Sequence, residues 1–225
     1  MNAPKNTHSA HSQRGLLEKP LAEIQRLIEC LLPAATQVDT RKGGAINLMK
    51  QGKNNTEFFV ILLISGEIEL HRTASNNLLF ATACGHNIFG LLGSSFRFNT
   101  YKFIPSKDSE IYILPRQEAI DIIVKNTLIR EVLTYHSFIA DIQSKGGNLL
   151  INRSAYEIVC ALLLELADVQ EAKRLKISVA NYILDRSNLA RSGVMKILSD
   201  LRTGGYIDIT YGKLICVNKR FPTVY

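Results

Sequence analysis

Residues 178–217, SVANYILDRSNLARSGVMKILSDLRTGGYIDITYGKLICV, leave few folds open. Val179 to about Arg186 predicts a short helix, with Ser187 and Asn188 as turn residues. A second helix is predicted from about Arg191 to Thr203. Its apolar residues Val194, Ile197, Leu198 and Leu201 stand at i, i+3, i+4 and i+7, one inward stripe of a 3.6-residue period. The opposite face carries Arg191, Ser192, Met195, Lys196, Ser199 and Arg202. Gly204-Gly205 ends the helix. YIDIT and KLICV then form a hairpin about Tyr211-Gly212.

Helix, turn, helix and hairpin make a winged helix-turn-helix. A helix fits the major groove of B-DNA with its N-terminal residues at the base edges. Arg191 and Lys196 can donate to guanine or to phosphate, and Ser192 can donate or accept. Lys213 at the wing tip is placed to meet backbone phosphate. Charge points the same way. Residues 171–225 hold ten Lys/Arg against four acids, which is +6 of the chain's net +7. A local positive field suits a polyanionic partner. The competing reading is a small protein-binding module with a solvated cationic face.

Upstream the texture changes. Residues 16–32 show helical spacing and stop at Pro33. From about 36 to 115, Gly43-Gly44, Gly52, Gly66, Gly85, Gly90 and Gly93 punctuate short apolar runs, as in an all-β sandwich or barrel. FFVILLI, residues 58–64, is apolar throughout and predicts a central strand. Beyond Gly66, Ile68 and Leu70 alternate with Glu67, Glu69 and His71, so that strand has one wet face. Glu110–Pro115 is the last strand. A short helix over 117–124 follows, and Asn126 is placed to cap a longer one of about 18 residues. In it Leu128, Val132, Tyr135, Ile139 and Ile142 are spaced like a coiled-coil seam, with a second row of Ile129, Leu133, His136 and Ala140. Two rows allow one helix to pack on its own domain and on a second copy. Gly146-Gly147-Asn148 predicts a bend near the domain boundary. Ser154 with Glu157 is a capping-box pattern opening a buried helix.

FFVILLISGEIELHR, GHNIFGLLG (85–93) and RSGVMKILSDLRTGGYI (191–207) together resemble the catabolite-activator and fumarate–nitrate-regulator (Crp/Fnr) superfamily of bacterial transcription factors. They correspond to its central strand pair, its cassette entry and its recognition helix. The last fifty residues are also similar to the IprA-type regulators, named for inhibition of peroxide resistance. The resemblance implies an α+β chain: a cyclic-nucleotide-binding-like β-sandwich (jelly roll), a long dimerisation helix and a winged helix-turn-helix. The divisions are 1–15, a polar tail expected to be disordered; 16–125, the effector domain; 126–151, the dimerisation helix and hinge; and 152–225, the DNA reader.

The resemblance also implies roles. Base readers fall on Arg191, Ser192 and Lys196, with Ser192 replacing an acidic residue. Ala190 stands where a hydroxyl cap is usual, a loss of about 1 kcal/mol that Asn188 is placed to offset. Members that bind cyclic nucleotides use a glutamate for the ribose and an arginine beside a small hydroxyl residue for the phosphate. Here those positions hold Leu91 and Asn99-Thr100. The pocket around Gly90, Leu91 and Gly93 is therefore degenerate, since a buried phosphate needs a compensating charge. The alternative is a cyclic-nucleotide or other small-molecule site rebuilt around Arg97. A further alternative is an adaptor that has lost DNA binding.

The iron–sulfur branch of the family needs clustered cysteines near the N-terminus, where only Cys30 stands. The cysteines 30, 84, 160 and 216 include no C-x-x-C pair, and the five histidines form no metal-binding spacing. No metal or other cofactor is expected, and no nucleophile–base pattern suggests an enzyme. Haem ligation by His71, His86 or His136 stays open, and Cys84 is the thiol to test for redox sensing. No secretory leader or membrane span is expected. Expected partners are double-stranded DNA, a second copy and RNA polymerase, in the cytoplasm. The effector is left unnamed.

Overall fold

A computed structural model describes residues 18–52, 55–73, 78–94, 100–150 and 153–223, with 145–150 by backbone alone. The first helix, α1, is Leu21–Leu31, flanked by Pro20 at its start and a 3₁₀ turn at Leu32–Ala34. The helix is shorter than the expected 16–32 span: residues 18–20 are not helical, and Pro20 stands directly before the first helical residue.

Strands β1 (Thr36–Gln37), β2 (Met49–Gln51), β3 (Thr56–Ser65), β6 (Asn87–Phe89) and β8 (Glu110–Pro115) form one antiparallel sheet around β3. Strands β4 (Glu67–Arg72), β5 (Leu78–Cys84) and β7 (Tyr101–Pro105) form the second sheet, in the order β5-β4-β7. The apolar run of β3 has a simple cause. Val60 and Leu62 face α1 and the helices after the sandwich, whereas Ile61 and Leu63 face the second sheet with Ile68, Phe103 and Ile111. Val60 to Leu63 are wholly buried because both faces of the strand are covered. Gly66 makes the turn into β4. Its φ is +86°, and a Cβ there would lie 2.6 Å from Ser109 Cα, so only glycine fits.

Helices α2 (Arg116–Lys125) and α3 (Ile129–Leu150) follow. Asn126 closes the first rather than opening the second: its Nδ2 donates to Ile122 O at 2.8 Å. The backbone stays helical through Gly146 and Gly147, so the expected bend is not there and α3 runs 22 residues. Glycine inside a helix costs about 1 kcal/mol but does not forbid it.

The C-terminal unit has its own core. Helices α4 (Ala155–Ala167), α5 (Glu171–Arg174), α6 (Val179–Arg186) and α7 (Arg191–Thr203) precede the hairpin β9 (Ile207–Thr210) and β10 (Lys213–Val217). Ser154 and Glu157 form the expected capping box. Val159, Leu163 and Leu166 of α4 meet Ile183, Val194, Leu198 and Leu214 in one cluster. The hairpin turns on Tyr211 and Gly212, both at positive φ, the twist that two-residue loops require. Among the described residues no helix is long and apolar enough to cross a membrane.

Candidate nucleic-acid interface and the neighbouring cavity

Helix α7 separates its two faces cleanly. Val194, Ile197, Leu198 and Leu201 are buried, whereas Arg191, Ser192, Lys196, Ser199 and Arg202 are all exposed. Met195 stands among them, 48% exposed. No side chain caps the helix, so the proposed Asn188 cap is not made and its first amides are left open. Lys213, expected at the wing tip and facing phosphate, is half-buried, and its ammonium donates to Lys176 O at 2.7 Å. The wing tip itself is Tyr211, 98% exposed.

The wing is fastened to the segment before α6. Val179 N donates to Gly212 O at 3.0 Å. The Arg174 guanidinium donates to Leu214 O, Ile215 O, Ala167 O and Val169 O at 3.0–3.2 Å. A half-buried arginine between two elements is a structural staple, and nothing in its sequence context sets it apart from the other cations.

The sandwich holds a cavity of about 280 Å³ between the second sheet, β6 and α3. Its walls include Phe80, Ala81 and Ala83 of β5, Phe89 of β6, and Val132 and Ile139 of α3. Of the expected effector residues, Gly90 and Leu91 line it. Gly90, at φ +88°, allows the backbone to pass Phe59 O, which a Cβ would approach to 2.3 Å. Gly93 lies at φ +141°. Thr100 is half-buried, and its carbonyl accepts from Thr73 N and Oγ1. Arg97 and Asn99 lie outside the described residues.

Arg116 is a participant that sequence reading missed. Its Nε donates to Leu91 O at 3.1 Å and its Nη1 to Gly93 O at 2.9 Å. The loop thus presents carbonyls to a cation. Tyr135 is another. Its hydroxyl accepts from Ile88 N at 3.1 Å and donates to Ile88 O at 2.9 Å, tying α3 to β6. Burial pushes that phenol up to about 12.

Most of the expected seam between copies is turned inward, although Ile142 is exposed. Leu128 and Tyr135 are buried in the protomer's own core, and Val132 and Ile139 pack there too. Val132, Tyr135, Ile139 and Ile142 line the cavity. Of the second row, Ile129, 50% exposed, Leu133, 60% exposed, and Ala140 face outward, whereas His136 is half-buried and lines the cavity. The physical reason is local. The sandwich offers an apolar face already built, and the denser of the two rows covers it.

The two units touch near Cys84. Helix α6 packs on β5, and Lys173 Nζ lies 2.6 Å from Glu67 Oε1. Cys84 is exposed, but partial burial and then the Glu67 carboxylate push its thiol up. That direction disfavours the nucleophilic thiolate that peroxide sensing requires. Lys19 donates to Cys84 O at 3.1 Å, and desolvation lowers its ammonium. Among the described residues no group of His, Cys, Asp or Glu is placed to hold a metal ion.

Comparison with known proteins bears on both units. A family of winged helix-turn-helix DNA-binding domains matches residues 155–223. The inhibitor of hydrogen peroxide resistance of Escherichia coli K12 is 33% identical over 208 residues, covering 92% of this chain and 98% of that one. Among solved structures, the c-di-GMP-responsive global regulator CLP of Xanthomonas campestris aligns with a TM-score of 0.61 at 13% identity, over 87% of this chain and 100% of that one. FixK2 of Bradyrhizobium japonicum aligns with a TM-score of 0.52 at 21% identity, over 83% of this chain and 93% of that one.

Proposed function

The chain belongs to the family of the inhibitors of hydrogen peroxide resistance and is a DNA-binding transcription regulator of the Crp/Fnr fold; from that premise we propose that a homodimer reads its operator through the exposed face of α7, in the cytoplasm, at genes of the oxidative-stress response. One observation carries the reading of that face. All five polar or cationic side chains expected there are exposed, while the stripe behind them is buried.

Arg191 and Lys196 then donate to base edges in the major groove and Ser192 serves as an adaptable partner. Met195 supplies an apolar contact suited to a thymine methyl. Ser199 and Arg202, further along the helix, approach the backbone. Lys213 keeps donors free for phosphate beside its bond to Lys176 O. The outward row of Ile129, Leu133 and Ala140 joins two copies, which sets half-sites about 34 Å apart along the duplex. RNA polymerase is the proposed protein partner once the dimer is seated. The protein acts by binding and not by catalysis.

A cyclic nucleotide is not the proposed effector. Leu91 stands where a carboxylate would take the ribose, and Arg116 is engaged by the loop's own carbonyls. Selection from a pool of random duplexes tests the DNA reading. One sequence class should be enriched, with two-fold symmetry, and its affinity should fall steeply with salt, the logarithmic slope being about −0.9 per phosphate neutralised. No enrichment and a flat salt dependence would favour the adaptor reading.

A further inference from the structure

We propose that the sandwich cavity is a binding site for a neutral, apolar small molecule of about two rings. Size is the first argument. A cavity of 150 Å³ takes one benzene, so about 280 Å³ holds a body roughly twice as large. The lining is the second. Phe80, Phe89, Phe103, Val132, Phe138 and Ile139 surround the space with aromatic and aliphatic surface. Burying such surface against an apolar ligand is favourable.

The third argument is what the polar groups of the wall already do. Asn87 Nδ2 donates to Cys84 O and Gly85 O. The Tyr135 hydroxyl both donates to and accepts from Ile88. Lys19, the one ammonium or guanidinium among the described lining residues, donates to Cys84 O and is disfavoured as a cation by desolvation. Thr82, Tyr101, His136 and Gln143 also line the wall but add no ammonium or guanidinium, so a carboxylate or phosphate entering here would lose its water without a permanent cation beside it. A neutral ring system loses nothing comparable. The proposal rests on the reading of the sandwich as the effector unit, and it does not depend on the DNA contacts.

Thermal unfolding and calorimetry of the full chain test it, with naphthalene and indole as neutral probes and 1-naphthoate and cyclic AMP as charged ones. Naphthalene or indole should bind saturably and raise Tm by about 3 °C or more near saturation. The charged probes should bind at least tenfold more weakly. Ala81 and Ala83 face the cavity from β5. Ala81→Leu and Ala83→Leu, each checked for folding by circular dichroism, should fill it and weaken naphthalene binding at least tenfold. DNA affinity, measured separately by fluorescence anisotropy, distinguishes a failure of this proposal from a failure of the regulator reading. Absence of saturable neutral binding by the wild type would overturn it. So would equal affinity for 1-naphthoate, or an unchanged probe affinity in a folded Leu variant.

Discussion

Helices α3 and α7 both carry apolar rows at helical spacing, yet they are used in opposite ways. In α7 the single row Val194, Ile197, Leu198 and Leu201 is buried, and the other sides are open and, Met195 apart, mainly polar. In α3 two rows exist. One lies in the protomer's own core and along its cavity, and the other, Ile129 and Leu133, stands in solvent. A helix with one apolar row has a single way to dock. A helix with two has a choice, and the neighbouring surface decides it. An exposed apolar row is therefore informative on α3 in the way that an exposed cationic row is on α7: each is a face that the protomer's own core does not use.

The sharpest test of the contrast places one substitution on each helix. Val194→Asp buries a carboxylate in a site with no exposure and should destabilise the reader by about 3 kcal/mol or more. Leu133→Asp should leave the protomer's stability within about 0.5 kcal/mol but shift the oligomer toward monomer. Chemical denaturation and sedimentation read the two outcomes. A stable Val194 variant, or an unfolded Leu133 variant, would break the comparison.

Next in size is the reading face itself. Arg191→Ala should cost about 1–3 kcal/mol of discrimination between preferred and altered operators, measured by competition. Lys213→Ala should instead weaken all sequences alike and lower the salt slope by about 1. Comparable in size, but on folding and not on binding, Tyr135→Phe leaves Ile88 N and O without their hydroxyl partner and should destabilise the sandwich by about 1–3 kcal/mol. The loss should appear in the β-sandwich and spare the C-terminal unit.

The smallest effect concerns the contact between units. The hydrogen bond from Lys173, followed by its charge, holds the Glu67 carboxyl below its usual range. A depressed carboxyl contributes its stabilisation above the ordinary glutamate range and loses it as pH falls through the lowered value. Both partners are largely exposed, so solvent screens the pair. Acidification from pH 6 to 3 should loosen the contact in hydrogen exchange at β5 and α6, and Glu67→Gln should show the looser pattern already at pH 6. An identical exchange pattern in the variant and the wild type would remove the pair from any role.

How much of this was legible beforehand follows the same division. The bounds of α6 and α7, the Ser154–Glu157 box and the Tyr211-Gly212 turn came from short-range rules, because each is decided within a few residues. The buried strand β3 was legible for a related reason: only a run covered on both faces tolerates seven apolar residues in succession. What escaped depends on distant partners. Arg116 meets Leu91 and Gly93 across 25 and 23 residues, and Tyr135 meets Ile88 across 47. Asn126 illustrates the ambiguity of one position, since a residue suited to open one helix is equally able to close the one before it. The inward turn of the α3 seam belongs here too, because the spacing of Val132, Tyr135 and Ile139 groups them without naming what lies opposite.

The fastening of the hairpin has a last consequence. Three separate ties hold it: the Gly212 carbonyl on Val179, the Lys213 ammonium on Lys176, and the Arg174 fork on Leu214 and Ile215. These ties join the wing to the segment before α6, and the core that Val194 and Leu198 share with Ile183 and Leu214 makes wing and reading helix parts of one solid piece. Such a piece reaches its target with its shape already set, so little entropy is lost on arrival, and a badly fitting sequence gains no rescue from a loop that bends to meet it.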